Sequence, residues 1–338
     1  MNESTHNKRK ITVLPLAVIQ VIASAALSLS ARNGFLHIGV FCIGAAGAMF
    51  ALQMLVSKSY WYIISAAVSV CAATLIGGIL PGIMCVFAVP TGILISVMIK
   101  KRSTKMSLVA SLDVLYILLF AGSFLLVYLL DGYEFSVNAI ISHYSEVMEY
   151  IEKAMLESME GEVMTELAHS LRLTEQELLE LINAFMDEMK LTMPAIIISS
   201  IGVVAYVTAA FFKLGTVICG CELLLPDPRW ETLPSKISAW CFAVSYIAYS
   251  FSTMFLQSLS VISLVSYSIV IIFSPIMMLM GIKWISSLRS KGLVVTLFVF
   301  GSMFMLPLAV VILAFFGVRE VFVRHDKIKK QNMKDGQQ

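Results

Sequence analysis

Long apolar runs separated by short polar stretches dominate this chain. The runs cover about 11–30, 35–56, 61–78, 79–99, 106–130, 191–213, 236–258, 259–283 and 292–317. Each approaches the ~20 residues that a helix needs to cross a hydrocarbon core. A barrel strand is short and alternates in polarity, whereas these runs are long and continuous. Backbone exposed to lipid must satisfy its own hydrogen bonds, which leaves the helix as the element for such runs. The pattern predicts an all-α, polytopic transmembrane helical bundle of 8–9 spans.

The main departure is residues 131–190. Fourteen of the 22 acidic residues lie between Asp131 and Glu188, opposed only by Lys153, Arg172 and Lys190. The region still carries a helical period. Val137, Ile140, Ile141, Tyr144, Val147 and Ile151 recur at helical spacing, and Gly161 interrupts the pattern. Thr174-x-x-Glu177 reads as a capping box. Behind it, Leu178, Leu181, Ile182, Phe185 and Met189 mark one apolar face. The expectation is an acidic amphipathic helical insert outside the membrane, serving as packing, lid or partner surface. The chain then divides into N-terminal helices (1–130), the insert (131–190), C-terminal helices (191–317) and a basic tail (318–338).

Basic residues set the orientation, because Lys and Arg concentrate in cytoplasmic loops. Lys8, Arg9 and Lys10 precede the first run; Lys100, Lys101, Arg102 and Lys105 follow the fourth. Lys213, Arg229 and Lys236 follow the sixth, and Lys283, Arg289 and Lys291 the eighth. These clusters share one side if the N-terminus is cytoplasmic. The tail, with Arg319, Arg324, Lys327, Lys329, Lys330 and Lys334, fits that side only if one run fails to cross.

Composition narrows the function classes. Hydrophobic residues make up 59% of the chain and charged residues 14%, with a mean hydropathy of +0.87. A soluble domain carries about 25% charged residues, so a soluble enzyme and a disordered chain are excluded. The basic clusters lack interleaved aromatics, which argues against nucleic acid. Most of the six cysteines sit in apolar runs, and no disulfide framework is expected. Cys219-x-Cys221 lacks a second pair or nearby histidines, so no metal site is expected. No Walker-type phosphate loop, no H-E-x-x-H and no clustered histidines occur. No catalytic residue and no cofactor is therefore assigned.

A few residues carry candidate roles. Asp113 is the one acid well inside a run, about 10 Å deep from Met106 at 1.5 Å per residue. Such a carboxyl should face the bundle with a partner, as a ligand contact or as a hydrogen bond to a neighbouring helix. Gly77-Gly78, Pro81-Gly82 and Pro90-x-Gly92 interrupt runs three and four. Broken helices can offer backbone groups to a ligand. Gly44-x3-Ala48 and Gly47-x3-Ala51 place small residues on adjoining helix faces, suited to packing within the chain or to another subunit. Arg229 and Trp230, in a proline-rich loop, suit a lipid-headgroup anchor or a partner contact.

Several of these pieces occur in an order that resembles a known family. Gly77-Gly78 and Pro90-x-Gly92 precede Lys100-Lys101-Arg102. An acidic helical insert ends in Pro194 at the head of a long helix, and Arg229-Trp230-x-x-Leu233-Pro234 opens a new hydrophobic half. Gly281 lies near Trp284, and Gly317 with Arg324 closes the last run. Over most of its length the chain resembles the YybS-like family of bacterial multi-pass membrane proteins, which has no assigned molecular activity. That family is similar in fold to the substrate-binding S components of energy-coupling-factor transporters. The resemblance implies a bacterial cell membrane and six S-component-like helices over about 11–213, with an added module behind them. It implies a bound small molecule, and a coupling subunit and ATPase as partners. The other reading is a membrane scaffold or regulatory protein acting through the insert and tail, with no transport substrate and with lipid or other membrane proteins as partners.

Overall fold

A computed structural model describes residues 3–33, 36–57, 60–130, 136–158, 162–171, 173–219, 233–255, 261–287 and 306–335. All regular structure among them is helical. The helices are α1 (Glu3–Arg32), α2 (Leu36–Val56), α3 (Trp61–Gly77), α4 (Ile79–Val86), α5 (Ala88–Lys100) and α6 (Lys105–Leu130). They continue with α7 (Val137–Ser158), α8 (Glu162–Leu171), α9 (Glu175–Ile218), α10 (Lys236–Phe255), α11 (Val261–Ser287) and α12 (Leu306–Asp335).

Four helical stretches among the described residues are long and apolar enough to cross a membrane: Pro81–Lys100, Lys105–Ser123, Gln176–Ile218 and Val261–Ile285. Shorter apolar helices cover Leu14–Ser30, Phe41–Val56 and Trp61–Gly77. Only 22% of the α6 stretch and 17% of the α11 stretch is buried within the chain. Their outward side chains, such as Val114, Leu118, Ile262 and Val265, are apolar. Lipid tolerates such a surface, whereas water disfavours it. Much of the run at 292–317 lies outside the described residues, and its end opens α12.

The chain forms two compact units, and their limits differ from the division read from polarity. The first comprises 1–119, 199–240 and 275–338; the second comprises 120–198 and 241–274. The limits fall inside α6, α9, α10 and α11. Polarity marks where a chain meets water, whereas packing decides which segments share a core.

In the first unit α1 packs on α2 and α3, and α2 packs on α5. The core includes Leu16, Leu52, Ile95, Leu108, Leu112 and Phe212. Ser28 Oγ donates to the Ala73 carbonyl at 3.0 Å, joining α1 to α3. Further along the chain, Lys236 Nζ meets Asp326 Oδ1 at 2.7 Å, and the His325 ring lies 2.9 Å from the Pro234 carbonyl.

The second unit holds the acidic helices. Thr174 and Glu177 form the expected capping box: the Thr174 N–H donates to Glu177 Oε2 at 2.8 Å, and the Glu177 N–H to Thr174 Oγ1 at 3.2 Å. The apolar face behind it is narrower than expected. Leu178, Ile182 and Met186 are buried with Ala168, whereas Leu181 and Phe185 are exposed. A helix turns 100° per residue, so positions 178, 182 and 186 span about 80° of its surface, with 185 and 181 at and beyond one edge of that stripe. On α7, Met148 is buried, whereas Ile141 and Val147 are exposed.

No break separates this region from the following apolar run. α9 is one helix of 44 residues with Pro194 inside it. Proline has no N–H, so the carbonyl four residues back loses its helical donor. That carbonyl is Lys190, and the Tyr144 hydroxyl donates to it at 2.7 Å. Lys190 Nζ also meets Glu152 Oε2 at 2.7 Å. One residue on α9 is thus held by two on α7.

Candidate functional site

Two polar groups lie inside the first unit, each on apolar helices. One joins Gln20 of α1, Gln53 of α2 and Ser65 of α3, which are 1%, 0% and 6% exposed. Gln53 Nε2 donates to Gln20 Oε1 at 2.7 Å. Ser65 Oγ donates to Gln53 Oε1 at 2.7 Å and lies 3.3 Å from Gln20 Oε1. An amide in an apolar interior is costly unless paired, so these groups hold three helices at one level. Reading the runs by charge passes over them, because glutamine and serine are uncharged. Two glutamines inside apolar runs were the available signal.

The other group lies between α6 and α9. Tyr116 Oη and Thr208 Oγ1 are 3.1 Å apart. Thr208 Oγ1 donates to the Val204 carbonyl at 2.8 Å, so its proton is engaged and Tyr116 is the donor between them. Asp113 lies three residues before Tyr116 on the same helix face. Its Oδ1 is buried and has no hydrogen-bond partner among the described residues. Gly202 of α9 stands beside it. A Cβ on Gly202 would lie 3.9 Å from Asp113 Oδ1, in ordinary contact, so the glycine leaves a methyl-sized space against the carboxyl. A carboxyl in such surroundings accepts a hydrogen bond from a bound group or keeps its own proton.

The other candidate positions near α3, α4 and α5 have these surroundings. Gly78, at φ 89°, ends α3, and its N–H donates to the Thr74 carbonyl at 2.9 Å. Pro81 and Pro90 lie in the first turns of α4 and α5, where an N–H has no partner within the helix. A Cβ on Gly77 would lie 2.9 Å from both Pro81 Cγ and Ser28 Cβ. Gly77 is therefore enclosed by the chain's own side chains, whereas a Cβ on Gly78 would meet nothing within 4 Å.

The small-residue faces of α2 are also occupied. Thr208 closes on Gly44, Thr91 on Gly47, and Ala48 and Ala51 are both 0% exposed. As an outward surface for another subunit, this stripe is covered by α5 and α9 of the same chain. Arg229 and Trp230 lie outside the described residues. No family model, curated protein or solved structure matches this chain.

Proposed function

We propose that this chain is a multi-pass membrane protein of 8–9 spans that binds a small polar molecule as a transport component. It has an S-component-like plan, a cytoplasmic N-terminus and no ATPase of its own, and it draws a coupling subunit and ATPase from partners. The acidic helices α7 and α8 stand outside the membrane. The observation that carries this reading is that the buried Asp113 Oδ1 beside Gly202 has no hydrogen-bond partner among the described residues. A carboxyl inside an apolar helix costs about 2.5–3.5 kcal/mol near the bilayer centre on insertion scales. Such a cost is retained where the group meets a ligand, an ion or a proton.

The test is purification of the full chain in mild detergent, followed by mass spectrometry of what it retains. A stoichiometric small molecule, lost in Asp113→Asn, supports the reading; full retention in that variant removes Asp113 from the site. Co-purification of a transporter ATPase supports the transport role.

A scaffold or regulatory role is the second reading. It rests on the exposed apolar side chains of the acidic unit, Ile141, Tyr150, Leu181 and Phe185. Membrane or envelope proteins recovered reproducibly without any small molecule favour it.

A further inference from the structure

Nothing in the surrounding chain answers the charge of Asp113. Its Oδ1 is buried and accepts no hydrogen bond among the described residues. No ion pair among them involves it either. The basic residue of α6 is Lys105, about 12 Å from Asp113 along the helix axis at 1.5 Å per residue. The facing part of α9 has no basic residue between Lys190 and Lys213, and Gly202 lies midway. The polar groups one turn further along α6 supply no donor. The Tyr116 hydroxyl gives its proton to Thr208 Oγ1, and Thr208 gives its own to the Val204 carbonyl.

The space beside the carboxyl is small. A Cβ on Gly202 would meet Asp113 Oδ1 at 3.9 Å and nothing else across that contact within 4 Å. Asp113 as a whole is partly exposed, so a ligand can reach the carboxyl from outside the helix pair. The group that fits is of methyl size, and an isolated carboxylate calls for one with positive charge and its own donors. A primary ammonium has all three properties. Its nitrogen bonds a carboxylate oxygen at about 2.7–2.9 Å, so it would sit about 1 Å nearer Oδ1 than the Cβ does. A hard divalent cation fits less well, because it takes several oxygen ligands. No group of three His, Cys, Asp or Glu that could hold a metal occurs among the described residues.

We infer that Asp113 receives a primary ammonium group, the charged end of the small molecule, with its nitrogen in the space that Gly202 leaves. This inference rests on the small-molecule reading and narrows it to one class, amines that are charged at neutral pH. The carboxylate supplies countercharge and acceptor, and the ligand supplies the donors. A neutral or anionic molecule would leave the carboxylate unanswered.

Two readouts on the full chain in neutral detergent test this at pH 7, where an alkylamine is charged. Mass spectrometry gives the formula of any retained molecule. Thermal melting follows stability as n-butylammonium chloride, n-butanol or sodium chloride is added, the two salts at equal ionic strength. A basic nitrogen in the retained molecule is expected, as is stabilisation by butylammonium beyond that by sodium or butanol. Asp113→Asn keeps the shape and removes the charge, and should weaken amine binding by about thirtyfold or more. Gly202→Ala puts a methyl where the nitrogen sits and should also weaken it, whereas Gly122→Ala should not. Stabilisation by butylammonium that needs Asp113 supports the inference even where nothing survives purification. A retained molecule without a basic nitrogen overturns the inference and leaves the small-molecule reading standing. Nothing retained and no selective stabilisation overturns both. Amine binding that persists in both Asp113→Asn and Gly202→Ala places the amine elsewhere and overturns the inference.

Discussion

The chain packs glycine against its neighbours in two different ways. Along α2, Gly44 and Gly47 face side chains, Thr208 and Thr91. Between α11 and α12 they face main chain. A Cβ on Gly281 would overlap the Leu313 carbonyl oxygen, and one on Gly317 the Met277 carbonyl oxygen. The second contact is reciprocal: Met277 and Gly281 are one turn apart on their helix, as are Leu313 and Gly317 on theirs. The Thr208 hydroxyl that faces Gly44 can turn away about χ1, although the Thr91 Cβ stays 2.8 Å from a Cβ on Gly47, whereas a carbonyl in a helix is fixed by its own hydrogen-bond ladder. The same four-residue spacing therefore describes one seam that can yield and one that cannot.

The largest expected effect follows from the rigid seam. Gly317→Ala or Gly281→Ala should force α11 and α12 apart, at a cost of about 3 kcal/mol. The separation should also disturb the stack of Trp284 on Phe316, now 4.4 Å between ring centres, and Arg319, 5.6 Å from the Trp284 ring. Reversible unfolding of the full chain in detergent measures the cost. Wild-type stability in both variants would falsify the distinction between the seams.

Gly44→Ala should cost less, about 1–2 kcal/mol, because the obstacle is a hydroxyl. The yielding seam also predicts rescue. Thr208→Ala removes the obstacle, together with the hydrogen bond from Tyr116. In the double variant the two penalties should fall short of their sum by about 1 kcal/mol, a coupling that a double-mutant cycle reads directly. Strict additivity would mean that Gly44 is limited by backbone, as Gly317 is.

Part of this was legible in the sequence. The small residues of α2, the capping box at Thr174 and Pro194 at the head of a long helix all announce themselves within a few positions. Gly281 and Gly317 stood out through the family resemblance, without any indication that they meet. What opposes Gly44 could not be read, because Thr208 lies on another helix and the spans are apolar nearly all round. A helix without a polar face gives no clue to which side is buried. The same limit hid the triad of Gln20, Gln53 and Ser65. Asp113 was visible because a charge within an apolar run has few bland explanations, whereas its neighbour Gly202 was not.

A smaller effect is expected where a carbonyl gains a partner. The Lys190 carbonyl, deprived of its helical donor by Pro194, accepts from Tyr144. Tyr144→Phe should cost about 1 kcal/mol, the net value of one hydrogen bond. Hydrogen exchange should quicken around 186–194 while the remainder of α9 is unchanged. Lys190→Met, which removes the partly exposed ion pair to Glu152, should cost less than about 1 kcal/mol.

The smallest effects on stability should come from glycines that touch little, and these separate packing from function. A Cβ on Gly122 would have nothing within 4 Å, and one on Gly202 would meet only Asp113 Oδ1, at 3.9 Å. Both alanine variants should therefore lie within about 0.5 kcal/mol of the wild type. They should differ in what the protein retains. Gly122→Ala adds a methyl to open surroundings and should leave small-molecule binding unchanged. Gly202→Ala fills the space against the carboxyl and should lower binding at least as far as its stability is spared. If both variants fold and bind alike, Gly202 is a packing glycine of the tolerant kind, and the space beside Asp113 is not where a ligand sits.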